Sequence, residues 1–238
     1  MPELLTDAIV LRRSDYRESD RMVTLFSANY GRVDVLARGV RKSGARLRMA
    51  CELFVTGEFR LNVNGARATL TGFLLREGFF PLREDYERLM KASYALGICA
   101  VAIQPGKPDP ELFAELQLTL GRMAYSEQSA DDLLVRFLLG FAALEGYMPA
   151  LDLCAVCGML VTGPARFSPE EGGICHASCA PYGRKIAERV FEYLRSVRDG
   201  ASAEADLDSI SEALSAVRAF VEYHTGARVK AGDLFEKA

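Results

Sequence analysis

The sequence predicts an α+β chain of more than one domain: a small five-stranded barrel at its N-terminal end, then an α-helical domain with a cysteine-bearing insertion. Three observations predict it. Five strand-like runs fall within residues 1–80 with no helical period between them. After Pro81 the apolar residues recur at three- and four-residue spacing. Four of the six cysteines gather within residues 147–182, where neither period holds. The 238 residues, half of them hydrophobic, suffice for domains at 1–80 and 81–238, with the insertion at about 150–182.

The strands follow from alternation and from turn chemistry. Residues 7–13 (DAIVLRR) and 21–27 (RMVTLFS) are two runs joined by a polar connection. Gly31 closes a turn after Asn29 and Tyr30, and residues 32–38 form the third strand. Residues 51–63 read as one long strand with a bend or bulge at Gly57. Its alternation puts Leu53, Val55, Phe59 and Leu61 on one face and Phe54, Thr56, Glu58 and Arg60 on the other. Phe54 would then lie outside the barrel, stacked on a base or, as we favour, packed on the next domain. Asn64-Gly65 is a two-residue hairpin signal, and residues 66–76 return as the fifth strand. A five-stranded OB-fold fits both the count and the length.

Helices are expected at 82–104, from Pro110, at about 130–145, at 183–199 and at 206–225. Asp109 before Pro110 is an N-cap ahead of a favoured first residue. Ser129 caps the third helix, with Asp132 placed for a capping box and Asp131-Asp132 as first-turn acids. Gly200 and Gly226 stop the last two helices.

Net charge is −3, but its distribution is uneven. Residues 1–80 hold 13 Lys and Arg against 9 Asp and Glu, whereas residues 81–238 hold 16 against 23. The stretch Arg38–Arg48 carries Arg38, Arg41, Lys42, Arg46 and Arg48 and no carboxylate. A cationic loop with Gly39, Ser43 and Gly44, attached to a strand, suits a phosphate backbone. Arg12, Arg13, Arg32 and Arg60 extend the same track.

Cys154-Ala-Val-Cys157 and Cys175-His-Ala-Ser-Cys179 stand seventeen residues apart. Two close pairs at that separation predict a structural zinc site held by Cys154, Cys157, Cys175 and Cys179. The second pair has three intervening residues where two are commoner, which leaves His176 as the alternative to Cys175. Cys51 and Cys99 read as small buried hydrophobes.

The chain has two histidines and shows no nucleophile triad, no G-x-x-x-x-G-K-[ST] and no G-x-G-x-x-G, all of which argues against an enzyme. No run of eighteen apolar residues predicts a membrane span. The N-terminus lacks a signal-peptide pattern, so a cytoplasmic location with reduced thiols is expected.

Tyr16-Arg-Glu-Ser-Asp20, Val23-Thr-Leu-Phe26, Tyr30-Gly-Arg-Val33 and Leu36-Ala-Arg-Gly39-Val-Arg-Lys-Ser43 together resemble the N-terminus of the bacterial recombination-mediator family RecO. The likeness extends over nearly the whole chain, including the cysteine pairs and the final helix. The resemblance implies an OB-fold followed by a helical domain with a zinc-finger insertion. It implies binding of single- and double-stranded DNA and annealing of complementary strands. The implied partners are RecR, in some species RecF, and through them RecA, loaded onto DNA coated with single-stranded-DNA-binding protein (SSB). The acidic C-terminal tail of SSB is a further implied partner, for which Arg122 and Arg136 beside Phe113, Leu116, Phe137 and Leu138 are the candidates. A nucleoid-associated location follows from the same likeness. The rival reading is a zinc-containing protein–protein adaptor without direct DNA binding.

Overall fold

The computed structural model describes residues 3–65, 67–162, 164–201, 205–226 and 228–229. Ala66, the expected start of the fifth strand, lies outside them. The strands are β1 (Glu3–Tyr16), β2 (Asp20–Ser27), β3 (Gly31–Ala37), β4 (Thr56–Asn64) and β5 (Arg67–Glu77). They close into a barrel in the order β1-β2-β3-β5-β4, with β1 paired to β2 on one side and to β4 on the other. β3 and β5 run parallel, as an OB-fold requires. A bulge between Val10 and Arg12 lets the long β1 bend as it changes partner.

Ala8, Ile9, Val10 and Leu11 are all fully buried, so the run buries both of its faces. One face lines the barrel and the other is covered by α1 (Tyr86–Ala102). Gly31 has φ +65°, and a Cβ there would fall 2.2 Å from the Lys107 carbonyl oxygen. Only glycine lets the β2–β3 turn dock against residues 104–107, where Arg32 N–H donates to the Gln104 carbonyl at 3.1 Å.

The fourth strand starts later than alternation predicts. Residues 49–51 form a 3₁₀ turn, and pairing begins at Thr56. The cause is Phe54, whose φ of +69° no strand accommodates. Its ring is 1% exposed beneath the Arg83 guanidinium, so the base-stacking alternative is excluded and the packing alternative holds. The register shift between Thr56 and Gly57 is the bulge that Gly57 signals, and Asn64 pairs Arg67 across the hairpin.

α2 (Pro110–Tyr125) is capped as read: Asp109 accepts from Leu112 N–H at 2.9 Å. Phe113 of α2 meets Phe26 of β2 edge-on at 5.4 Å. The chain divides into two compact units, the first running through Ser126, so α1 and α2 belong with the barrel. The boundary at residue 80 marks the change from strand to helix, and compactness continues past it.

The second unit, Glu127–Arg228, packs α3 (Ala130–Leu144), α4 (Glu188–Arg198) and α5 (Leu207–Thr225) together. Ser129 occupies the α3 N-cap but its side chain makes no cap bond. Asp132 turns inward instead, accepting from Tyr193 Oη–H at 2.7 Å and Arg136 Nε–H at 2.9 Å. The cysteine segment contains a small sheet ordered β7-β6-β8, from β6 (Ala165–Ser168), β7 (Gly173–His176) and β8 (Arg184–Lys185). β8 corrects the expected helix start: residues 184 and 185 pair with β6, so α4 begins only at Glu188.

Candidate nucleic-acid interface and metal centre

The basic stretch is a loop of successive turns, with all five cations exposed. Its two ends are fixed to the barrel. At the start, Asp20 accepts from Gly39 N–H at 2.8 Å, and Arg41 N–H donates to the Ser19 carbonyl at 3.0 Å. The Gly39 hydrogen bond outweighs the desolvation of Asp20 and, with the charges of Arg17 and Arg38, holds this carboxyl below its ordinary range. At the far end, Glu52 takes Arg13 and Arg21, and Phe54 N–H donates to the Val10 carbonyl.

An alternating chain of charge links the two ends: Arg41–Asp15 at 3.1 Å, Asp15–Arg21 at 3.1 Å, Arg21–Glu52 at 3.1 Å, then Glu52–Arg13. Arg41 also donates to the Arg17 carbonyl at 3.2 Å. Arg41 therefore shapes the loop. Arg38, Lys42, Arg46 and Arg48 form no ion pair among the described residues. The extension is thinner than expected, since Arg13 pairs with Glu52, Arg32 with Asp34 and Arg60 with Glu3, leaving Arg12 exposed and unpaired among the described residues. Arg46 and Leu47 also wall a groove of about 540 Å³ with Leu5, Glu58, Arg60 and Leu74 on the outer face of β1, β4 and β5. Strand alternation could have signalled that groove: Leu5 and Leu74 are exposed apolar residues on one outer face.

The tail-site candidates differ in exposure, and Arg122 is exposed. Leu116, Phe137 and Leu138 are wholly buried and Phe113 nearly so, while Arg136 is engaged with Asp132.

In the second unit, Cys154, Cys157, His176 and Cys179 present ligand atoms that all lie within 4.8 Å of one another. A tetrahedron with Zn–S bonds of about 2.3 Å spaces its sulfurs about 3.8 Å apart, so this donor set fits a metal. Cys175 is not one of the four: fully buried, it packs beside them against Cys154, Ala180 and Cys179, while His176 presents its imidazole to Cys157 and Cys179. Burial pushes the Cys175 thiol up to about 11. Counted from His176, the second knuckle has the usual two intervening residues, which is the signal a cysteine-only reading overlooks.

His176 Nε2–H donates to the Leu160 carbonyl at 3.1 Å, since a carbonyl can only accept. That leaves the Nδ1 lone pair facing Cys157 Sγ at 3.4 Å and Cys179 Sγ at 3.9 Å. Desolvation raises the Cys154 thiol, but the backbone N–H groups of Cys157, His176 and Val156 outweigh it and bring it down to about 5. Four protein donors leave no open coordination position, so the arrangement suits a structural ion. Cys51 and Cys99 are fully buried as read, and burial pushes Cys51 up to about 12.

Comparison with known proteins agrees with this geometry. Residues 1–74 match the family model described as recombination protein O N terminal, and residues 83–233 match recombination protein O C terminal. The chain belongs to the RecO family. The DNA repair protein RecO of Myxococcus xanthus is 33% identical over 95% of this chain and 94% of its own length. Its counterpart in Anaeromyxobacter sp. strain K is 35% identical over 97% of this chain and 95% of its own. RecO proteins are thus relatives along the whole fold. No helix of the described residues is long and apolar enough to cross a membrane.

Proposed function

We propose that this RecO-family chain is a non-enzymatic, DNA-binding mediator of recombinational repair. It binds single- and double-stranded DNA without sequence preference and anneals complementary strands. With RecR, and RecF where present, it helps load RecA onto SSB-coated DNA. The observation that carries the reading is the fixed basic loop, whose Arg38, Lys42, Arg46 and Arg48 stand exposed and free of carboxylate partners among the described residues. Phosphate contacts by such cations position a strand and carry no sequence information. Cations shared between two strands lower the repulsion between their phosphates, so bases can meet and pair. Zinc, held by Cys154, Cys157, His176 and Cys179, orders a segment whose strands are only two to four residues long. A strand-annealing assay tests this. Lys42→Glu with Arg46→Glu and Arg48→Glu should slow annealing at least ten-fold, and an unchanged rate refutes the role of the loop.

One observation favours the adaptor reading as the second. Val156, Met159 and Leu160, around the first knuckle, are 48%, 66% and 63% exposed, an apolar surface suited to a protein partner. In that case the same triple substitution leaves DNA behaviour unchanged, because no DNA is bound.

A further inference from the structure

The basic loop accounts for phosphate contact but not for how unpaired bases are held. The tip of the β1–β2 hairpin bears on this. Beyond the bulge, β1 and β2 pair in unbroken register from Arg12↔Thr24 to Tyr16↔Asp20. Arg12, Ser14 and Tyr16 therefore share the outward face of β1, while Arg13 and Asp15 turn to the opposite side and into the charge chain. Tyr16 is 41% exposed. The Arg17 guanidinium lies over its ring at 5.2 Å from the centroid. Arg17 adopts φ +58°, and its carbonyl is held by Arg41. The loop staple thus also fixes the hairpin tip that carries this aromatic–cation pair.

Across the tip, Asp20 is hydrogen-bonded to Gly39 N–H and feels the charges of both Arg17 and Arg38. Asp20 therefore lies near Arg17 and Arg38, while Arg12 stands four residues back from Tyr16 along the same face of β1. An exposed aromatic ring with one face against a guanidinium and free cations on either side offers both things a single strand needs: a π-surface for a base, and charge for the flanking phosphates.

We infer that Tyr16 is a base-stacking residue for single-stranded DNA, with Arg17 and Arg38 holding the phosphates that flank the stacked nucleotide. This rests on the DNA-binding reading above and adds to it a discrimination that phosphate contacts alone do not make. A duplex keeps its bases stacked on each other, so Tyr16 serves single strands only.

Binding of the full-length protein to an oligothymidylate, to an abasic oligonucleotide of equal length and charge, and to a duplex tests the inference. The wild-type protein should prefer the base-bearing strand over the abasic one. Tyr16→Ala should weaken oligothymidylate binding about ten-fold, abolish that preference and leave duplex binding within about two-fold. Tyr16→Phe should behave as wild type. The sequence contains no tryptophan, so Tyr16→Trp introduces a single reporter at the site, whose emission should be quenched by oligothymidylate and not by the abasic strand. Equal losses on all three ligands, or no loss on any, overturn the inference. If the loop triple substitution weakens binding while Tyr16→Ala does not, only the stacking role falls. If neither matters, the DNA-binding reading falls with it.

Discussion

The basic loop and the cysteine segment are both long connections, yet their polar groups order them by opposite means. The loop is held by the protein's own groups: Gly39 on Asp20, Arg41 on Asp15, Glu52 on Arg13 and Arg21. The segment gathers three thiols and an imidazole around a space within reach of an ion, and its small sheet has only four-residue strands and a two-residue one. Isolated strands that short are marginal in water. The residues that staple the loop are mostly not the ones that face outward, Arg41 being the exception. That is why the loop keeps cations to spare. In the segment, by contrast, the groups that give order are the site itself.

Metal removal should separate the two regions most sharply. Structural zinc contributes about 10 kcal/mol or more to such sites, so chelation should open the cysteine segment to protease while the barrel stays protected. Cys154→Ala and His176→Ala should each reduce bound metal, measured by atomic emission, well below one ion per chain. Cys175→Ser should retain a full complement. Loss of metal from Cys175→Ser with retention in His176→Ala would reverse the assignment of the ligand.

Acid should separate them next. Protons compete with a metal for the three thiolates and the imidazole, so bound metal should be released as pH falls. Asp20 is also depressed, so its contribution is complete above its unfolded value of about 3.9 and disappears only as pH falls through the lower folded value. Above about pH 4 the Gly39 amide should therefore stay protected in hydrogen exchange, even where acid has already released the metal and loosened the segment. Simultaneous loss would show that the loop depends on the second unit.

A smaller effect distinguishes the residues within the loop. Arg41→Ala should raise exchange across residues 38–42 and cost up to about 1 kcal/mol, because it removes the solvent-screened pair with Asp15 and a bond to the Arg17 carbonyl. Lys42→Ala should leave exchange and stability unchanged and reduce only DNA affinity. The smallest contrast is at the helix caps. Asp109→Ala should cost about 1 kcal/mol by thermal melting, and Ser129→Ala much less, since only the first side chain makes a cap bond.

Much of the barrel was legible because short-range rules decide it. Gly31, Gly57 and Asn64-Gly65 mark the turns and the bulge, and alternation separates inner from outer residues once pairing starts. Phe54 defeated that rule: its left-handed backbone is stabilised by Arg83, a residue distant in sequence, and no local pattern reports it. β8 was hidden for a related reason, as a two-residue strand has no period to read. The cationic loop was legible as composition, but the division between Arg41 and its neighbours was not. That division depends on Asp15, which the β1 register places beneath the loop. The metal centre was legible as paired cysteines. The spacing of the second pair offered His176 as the alternative to Cys175; that its imidazole gathers with three of the thiols depends on the fold and has no local signal.

The salt dependence of single-strand binding reports directly on phosphate contact by the loop. For wild type, log K should fall linearly with log salt, with a slope set by roughly 0.7 per phosphate neutralised. With Lys42, Arg46 and Arg48 reversed to Glu, affinity at low salt should fall and the slope should flatten by about 2. An unchanged slope in that variant, with the barrel intact, would contradict the account.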